Sequence, residues 1–162
     1  RGPLKMNVLR QLLADVEWGE LDYLIIDLPP GTGDEPLSIC QLIPEAAGGI
    51  VVTTPQEVAL SDVRRCVNFC HQLDLPITGV IENMSGFVCP HCGERSDIFG
   101  SGGGRTMAKE MDVRFLGDAP LDPRLVEAAD RGDAFVEDYP DSDLARSFGE
   151  IVENILQVTE SN

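Results

Sequence analysis

The 162-residue sequence lacks any apolar run approaching the roughly 18 residues that a membrane-crossing helix requires, and no charged-then-apolar leader opens it. A membrane is therefore not an expected partner, and a cytoplasmic location is. Positive charge is scarce: 12 Lys and Arg stand against 28 Asp and Glu, a formal net charge of −16. Between Glu127 and Glu160 ten acids face only two arginines, Arg131 and Arg146. Such a chain repels a polyanion, which excludes nucleic acid as an expected partner. Cysteine is present in an odd number, five, which fits a secreted disulfide framework poorly and reduced thiols plus one working pair better. There is no initiating Met, and Arg1-Gly2-Pro3 runs almost at once into helical periodicity, as expected of part of something longer. The phosphate-binding pattern G-x-x-x-x-G-K-[ST] is also missing, since neither Lys5 nor Lys109 stands in that setting. "GSGGGRT", residues 100 to 106, does not replace it, because Arg105 occupies the lysine position and Phe99 that of the first glycine. That stretch reads as a flexible loop and helix start.

What is present is an alternation of helical and strand-like patterns. Leu4, Val8, Leu9, Leu12, Leu13 and Val16 recur at helical spacing up to Gly19, and "LDYLIID", residues 21 to 27, reads as a buried strand. A short helix from about Glu35 to Ile43 leads to a second strand, "GIVVTT", residues 49 to 54. Thr54, Pro55 and Glu57 supply N-cap, first-turn proline and capping-box acid for a helix reaching about Leu73. "PITGVIEN", residues 76 to 83, and "VRFLGD", residues 113 to 118, are the third and fourth strands, with a helix from about Gly104 to Met111 between them. Asp122-Pro123 opens a short helix, and Leu144, Phe148, Ile151, Val152 and Ile155 mark a terminal one. Two-sided apolar strands alternating with helices predict an α/β fold with a mostly parallel sheet flanked by helices. No repeat or linker divides it, so residues 1–162 read as a single, partial domain.

In open sheets of this kind ligands sit beyond the carboxyl ends of the strands. Asp27 ends the first strand, before Leu28-Pro29-Pro30-Gly31-Thr32-Gly33-Asp34; Asn83 ends the third; Pro120, Leu121 and Asp122 follow the fourth. An acid at an apolar strand tip can hold a Mg²⁺-bound water, and a nearby glycine lets backbone N–H groups approach a phosphate. The plainer reading is that Asp27 caps a turn which Gly31 and Gly33 permit.

"FVCPHCGE", residues 87 to 94, lies in a loop expected to span 84–100. A thioredoxin-like oxidoreductase would place its first cysteine at a helix N-terminus, yet "GERSD" after Cys92 shows no apolar helical stripe. C-P-x-C-G resembles a metal knuckle, whose Pro90 and Gly93 fold a tight turn that leaves both sulfurs and nearby N–H groups facing one point. Tetrahedral zinc or a cubane cluster takes four ligands, and Cys89 with Cys92 supplies two. With no second C-x-x-C, the simplest source of the other two is a second copy of the chain. Cys40, Cys66 and Cys70 read as small core residues, and His71 as a helix-surface residue.

"WGELDYLIIDLPPGTGD", "TTPQEVALSDVRR", "IENMSGFVCPHCGE", "IFGSGGGRTMAKE" and "FLGDAPLDPRLVEAAD" together resemble, in order and spacing, the C-terminal part of the Mrp/ApbC iron–sulfur carrier ATPases. These are deviant P-loop proteins related to MinD and the nitrogenase iron protein. The resemblance covers nearly the whole chain and implies an incomplete P-loop NTPase-like fold with a C-x-x-C metal-knuckle insertion. It implies that Asp27 is the acid near the Mg²⁺ water shell and Gly31 the switch glycine whose N–H meets the γ-phosphate of ATP. Asn83 would hydrogen-bond the adenine edge, and the backbone of Pro120, Leu121 and Asp122 would close over the base. Cys89 and Cys92 would bridge a [4Fe–4S] cluster with their twins in a homodimer, for delivery to apo iron–sulfur proteins. The lysine-containing phosphate loop of that family is not in this sequence, so the chain alone is expected not to hydrolyse ATP. The alternatives are a non-enzymatic zinc-knuckle dimerisation module and, third, a thiol oxidoreductase.

Overall fold

A computed structural model describes residues 2–160. Helix α1 (Gly2–Ala14) is followed by an irregular segment and by α2 (Asp34–Leu42), which Lys5 of α1 joins through an ion pair to Glu35. Then come β1 (Gly49–Thr53), α3 (Glu57–Gln72), β2 (Ile77–Val88), the two-residue β3 (Arg95–Ser96), α4 (Gly103–Glu110) and β4 (Phe115–Leu121). Three helices end the chain: α5 (Arg124–Arg131), α6 (Phe135–Asp138) and α7 (Asp143–Thr159). β2 pairs in parallel with both β1 and β4, and its far end turns back on β3 in a short antiparallel ladder, Phe87↔Ser96 and Val88↔Arg95. The sheet is therefore mixed, but its long ladders are parallel, as the two-sided apolar strands require.

The core follows from the helical and strand periods. Leu60, Val63 and Val67 share one stripe of α3 and pack with Met107 and Ala108 of α4 against Val51 of β1 and Val80 of β2. Each valine, leucine or methionine among them, taken fully out of water, contributes about 1.5–3 kcal/mol. A second cluster joins Ala119, Ala128, Phe135 and Leu144, with Tyr139 and Phe148 around it. Helix α7 seats on β4, where Asn154 Nδ2 donates to the Leu116 carbonyl (2.8 Å) and Ile151 fills the space that Gly117 leaves open.

The expected strand at 21–27 does not form. Residues 17–29 run without helix or ladder, and Leu21, Tyr23, Leu24 and Ile25 are exposed, Ile25 by 77%. A strand exists only beside another, and no described edge lies along this segment; its apolar residues have two faces to bury and nothing to bury them against. Two boundaries differ as well. β2 runs five residues past Asn83, because Phe87 and Val88 find partners in β4 and β3. α3 starts at Glu57 with Gln56 in the N-cap place, and Thr54 Oγ1 bonds Gln56 Oε1 instead of capping a helix amide. Pro55, buried, is spent on packing beneath Gly100 and Gly103, which moves the helix start beyond it. Finally, the end of "GSGGG" starts α4 as expected, but it is close-packed and not a flexible loop: a Cβ on Gly103 would meet the Pro55 carbonyl oxygen and Leu60 Cδ1 (2.9 Å), and one on Gly104 would meet Thr53 Cγ2 at 3.0 Å.

Candidate functional site

Two of the three groups of residues singled out in the sequence meet on β2. Asn83 stands opposite Ala119 of β4, so it is one register position from Pro120, and Leu121 pairs with Phe87. Between Asn83 and Phe87 the ladder bulges: Met84 takes φ +59°, Gly86 φ +84°, and Asn83 Oδ1 accepts the Met84 N–H (2.9 Å). Asp122 follows β4 and stands two residues before α5, accepting from the Arg124 amide (3.0 Å) and from its guanidinium (2.6 and 3.0 Å). That guanidinium, through its hydrogen bonds first, holds the Asp122 carboxyl below the usual carboxylate range. Arg124 also lies over the ring of Tyr139, 4.6 Å from its centre.

Asp27 and Gly31 are not brought to these strand tips by any bond. Both are exposed in the irregular segment, and among the described residues Asp27 makes no hydrogen bond or ion pair.

The cysteine turn hangs from the end of β2. The Cys89 N–H donates to the Glu94 carbonyl (2.9 Å), the Gly93 N–H donates to the Cys89 carbonyl (2.9 Å), and Gly93 takes φ +73°, a conformation open to glycine. The backbone N–H groups of Cys92 and His91, with the Cys92 thiol, pull the Cys89 thiol below its ordinary pKa. Cys92 is exposed beside it. Two sulfurs in a surface turn, one with its thiol pKa lowered, suit thiolate ligation. Among the described residues no group of three or more His, Cys, Asp or Glu is arranged to hold a metal ion, so the pair is at most half of a four-ligand shell.

Cys66 and Cys70 form a second thiol pair, one turn apart on α3. Cys70 is buried in the core and its S–H donates to Cys66; this lowers the Cys66 thiol to about 7 and, with burial, pushes Cys70 well above its ordinary value. Their packing role was legible, but the bond between them was not. Sequence reasoning also missed Glu82, a carboxyl only 1% exposed in the middle of β2, and Arg95, whose guanidinium lies against Gly86. The signal for Glu82 was its place between Ile81 and Asn83, a charged residue inside an apolar strand run.

The mixed sheet, with its long ladders parallel, and its flanking helices define a P-loop NTPase-like α/β protein. MinD from Pyrococcus furiosus has this fold: it superposes with a TM-score of 0.69 over 98% of this chain and 59% of its own, at 22% identity. A nucleotide-binding protein from Archaeoglobus fulgidus, solved in complex with ADP, superposes with a TM-score of 0.74 at 39% identity, over 90% of this chain and 58% of its own. The family described as ParA, NUBPL iron-transfer P-loop NTPase, matches residues 1–156, and the chain belongs to it. Its relatives include the iron–sulfur cluster carrier protein of Saccharolobus solfataricus, 49% identical over 162 residues, and that of Methanocaldococcus jannaschii, 51% identical over 160. These matches cover 100% and 99% of this chain but 55% and 54% of those proteins, so the chain spans about half the length of the curated relatives it matches.

Proposed function

We propose that this chain is the cluster-holding part of an ATP-dependent iron–sulfur carrier. The observation that carries the reading is the turn itself, closed by the Cys89 N–H to Glu94 carbonyl and Gly93 N–H to Cys89 carbonyl bonds, which sets Cys89 three residues from the exposed Cys92 at the end of β2. The lowered Cys89 thiol favours the thiolate that bonds iron. Cys89 and Cys92 contribute two thiolates to a [4Fe–4S] cluster, and the same pair in a second copy contributes the other two. The cluster is cargo, held at a surface and handed to apo iron–sulfur proteins in the cytoplasm.

Nucleotide belongs at the strand tips. Asn83 takes the adenine edge and the backbone of Pro120, Leu121 and Asp122 closes over the base, while Asp27 orders a Mg²⁺-bound water and Gly31 donates to the γ-phosphate. The adjacency of Asn83 and Pro120 across β2 and β4 supports the first pair of roles. Asp27 and Gly31 need the irregular segment to be drawn into the sheet before they can act. ATP turnover would change the relation of two subunits and with it the exposure of the cluster.

Anaerobic reconstitution of the chain with iron and sulfide tests the reading. It is expected to give about one four-iron cluster per dimer, with mass measured in solution. Cys89→Ser and Cys92→Ser are each expected to abolish cluster uptake, while Cys40→Ala leaves it intact. A double Cys89→Ser, Cys92→Ser chain that binds iron and sulfide at the wild-type ratio would falsify the assignment. Zinc at half an ion per chain, with no affinity for a cluster, would favour a zinc-knuckle dimer instead.

A further inference from the structure

Glu82 has no place in the chemistry above, yet its side chain is among the most completely buried in the molecule, 1% exposed. No described lysine, arginine or histidine forms an ion pair with it. Instead both oxygens are engaged by neutral donors. Oε1 accepts from the Ser85 hydroxyl (2.6 Å) and the Gly102 amide (2.8 Å), and Oε2 accepts from the Gly104 amide (2.5 Å). A buried carboxylate without a counter-ion is costly unless its lone pairs are satisfied and charge of opposite sign lies near. Here the free amides at the start of α4 supply both.

The donors come from two stretches of chain, Ser85 on one side and Gly102 with Gly104 on the other, and that is what matters. Ser85 lies on the strand that leads out to Cys89; Gly102 and Gly104 lie where the chain returns into α4. One side chain thus ties the exit and the return of the segment that carries both cysteines. The neighbours are shaped to permit it: a Cβ on Gly104 would sit 3.1 Å from Glu82 Cβ and from Oε2, and Met84 and Gly86 take positive φ to bring Ser85 back to the carboxyl. Cys89 and Cys92 themselves are held in their turn by its own backbone bonds. Glu82 does not build that turn; it sets where the turn stands on the sheet.

We propose that Glu82 is the positioning residue of the cysteine segment, fixing the orientation of Cys89 and Cys92 relative to β2. The inference rests on the carrier reading for its purpose. A cluster shared between two chains needs both thiol pairs to face one point, so a turn that is well formed but loosely mounted would hold cargo poorly.

The test compares the wild-type chain with Glu82→Gln and Ser85→Ala. Gln keeps the shape but turns an NH₂ toward an amide donor, leaving a buried N–H unpaired. In the metal-free chain, Glu82→Gln is expected to speed amide hydrogen exchange across residues 84–104 about tenfold, with α3 and α7 unchanged. The pH profile of Cys89 alkylation is expected to stay the same, because the turn's own bonds remain. In the reconstituted protein, loss of iron to a chelator is expected to be about tenfold faster, the size of effect seen when ligand-supporting bonds are removed. Ser85→Ala keeps the α4 amides capped and is expected to loosen 85–95 alone, which decides the matter should Glu82→Gln fail to fold. Unchanged exchange in both variants overturns the proposal. So does faster exchange with an unchanged cluster lifetime, which would make Glu82 a helix cap and nothing more. A wild-type chain that takes up no cluster sinks the carrier reading instead; the exchange data then decide by themselves whether Glu82 mounts the cysteine segment.

Discussion

Five cysteines of one chemical type end in three situations, and hydrogen bonding separates them. Cys89 is exposed to backbone amides, Cys66 to a thiol donor, and Cys70 gives up its proton's freedom to that bond and to the core. The Cys66 thiolate is favoured in the folded chain, since its thiol is lowered from an ordinary 9.0 to about 7. Its stabilising contribution is therefore present above the ordinary value and is lost as pH falls through about 7. Cys70 is shifted the other way: its contribution is present below its ordinary 9.0 and is lost only at strongly alkaline pH. Cys70→Ala removes the donor, so the pH midpoint for alkylation of Cys66 is expected to rise from near 7 toward 9. An unmoved midpoint would show that Cys70 does not donate to Cys66. The C-P-x-C-G turn could be read from its residue types because proline, glycine and two thiols leave few conformations. The Cys66 bond could not, since i, i+4 spacing on a helix places two side chains near each other without saying which way a proton points.

Among the elements, α4 shows how a helix start is decided by what lies beneath it. Its first turn carries no side-chain cap of its own; Glu82 from β2 supplies the acceptors, and Pro55 fills the floor. Gly103→Ala would push a methyl group into the Pro55 carbonyl and Leu60 Cδ1, neither of which can retreat without moving β1 or α3. A loss of about 1–3 kcal/mol is expected, as for other overpacked sites, measured by denaturant unfolding. A stability equal to wild type would mean that the glycines are there for flexibility after all. The helical stripes of α3 and α7 and the strand runs of β1, β2 and β4 were legible in the sequence to within a few residues, because a 3.6- or 2-residue apolar period reflects a single buried face. The extension of β2 was not, since Phe87 and Val88 become strand only through partners on β4 and β3.

For the molecule as a whole, much apolar surface remains uncovered. Ile50 and Val52 point away from the packed face of β1, and Leu4, Val8, Leu12, Leu21, Leu24 and Ile25 are exposed on α1 and the irregular segment that follows. Exposed apolar residues in this number mark contact surface, and the edge of β1 that does not pair with β2 is open to pairing with another chain. The chain by itself is expected to bind a hydrophobic dye and to associate further as its concentration rises, despite its charge of −16. Val52→Lys, at a position 56% exposed, is expected to reduce both effects while changing stability by no more than about 0.5 kcal/mol. Dye fluorescence and sedimentation that do not respond would place the sticky surface elsewhere.

The sequence by itself determined the longer helices, the strand runs of β1, β2 and β4 and the cysteine turn, because each follows from a short-range pattern: an apolar period, or a proline and a glycine set about two thiols. Only the tertiary structure decided whether "LDYLIID" is a strand, which atoms satisfy Glu82, and that Asn83 and Pro120 are neighbours while Asp27 stands apart. The physical reason is the same in each case. A ladder bond, a buried carboxylate and a ligand-binding tip all need a second group from a distant part of the chain, and a local pattern shows the need without showing the partner.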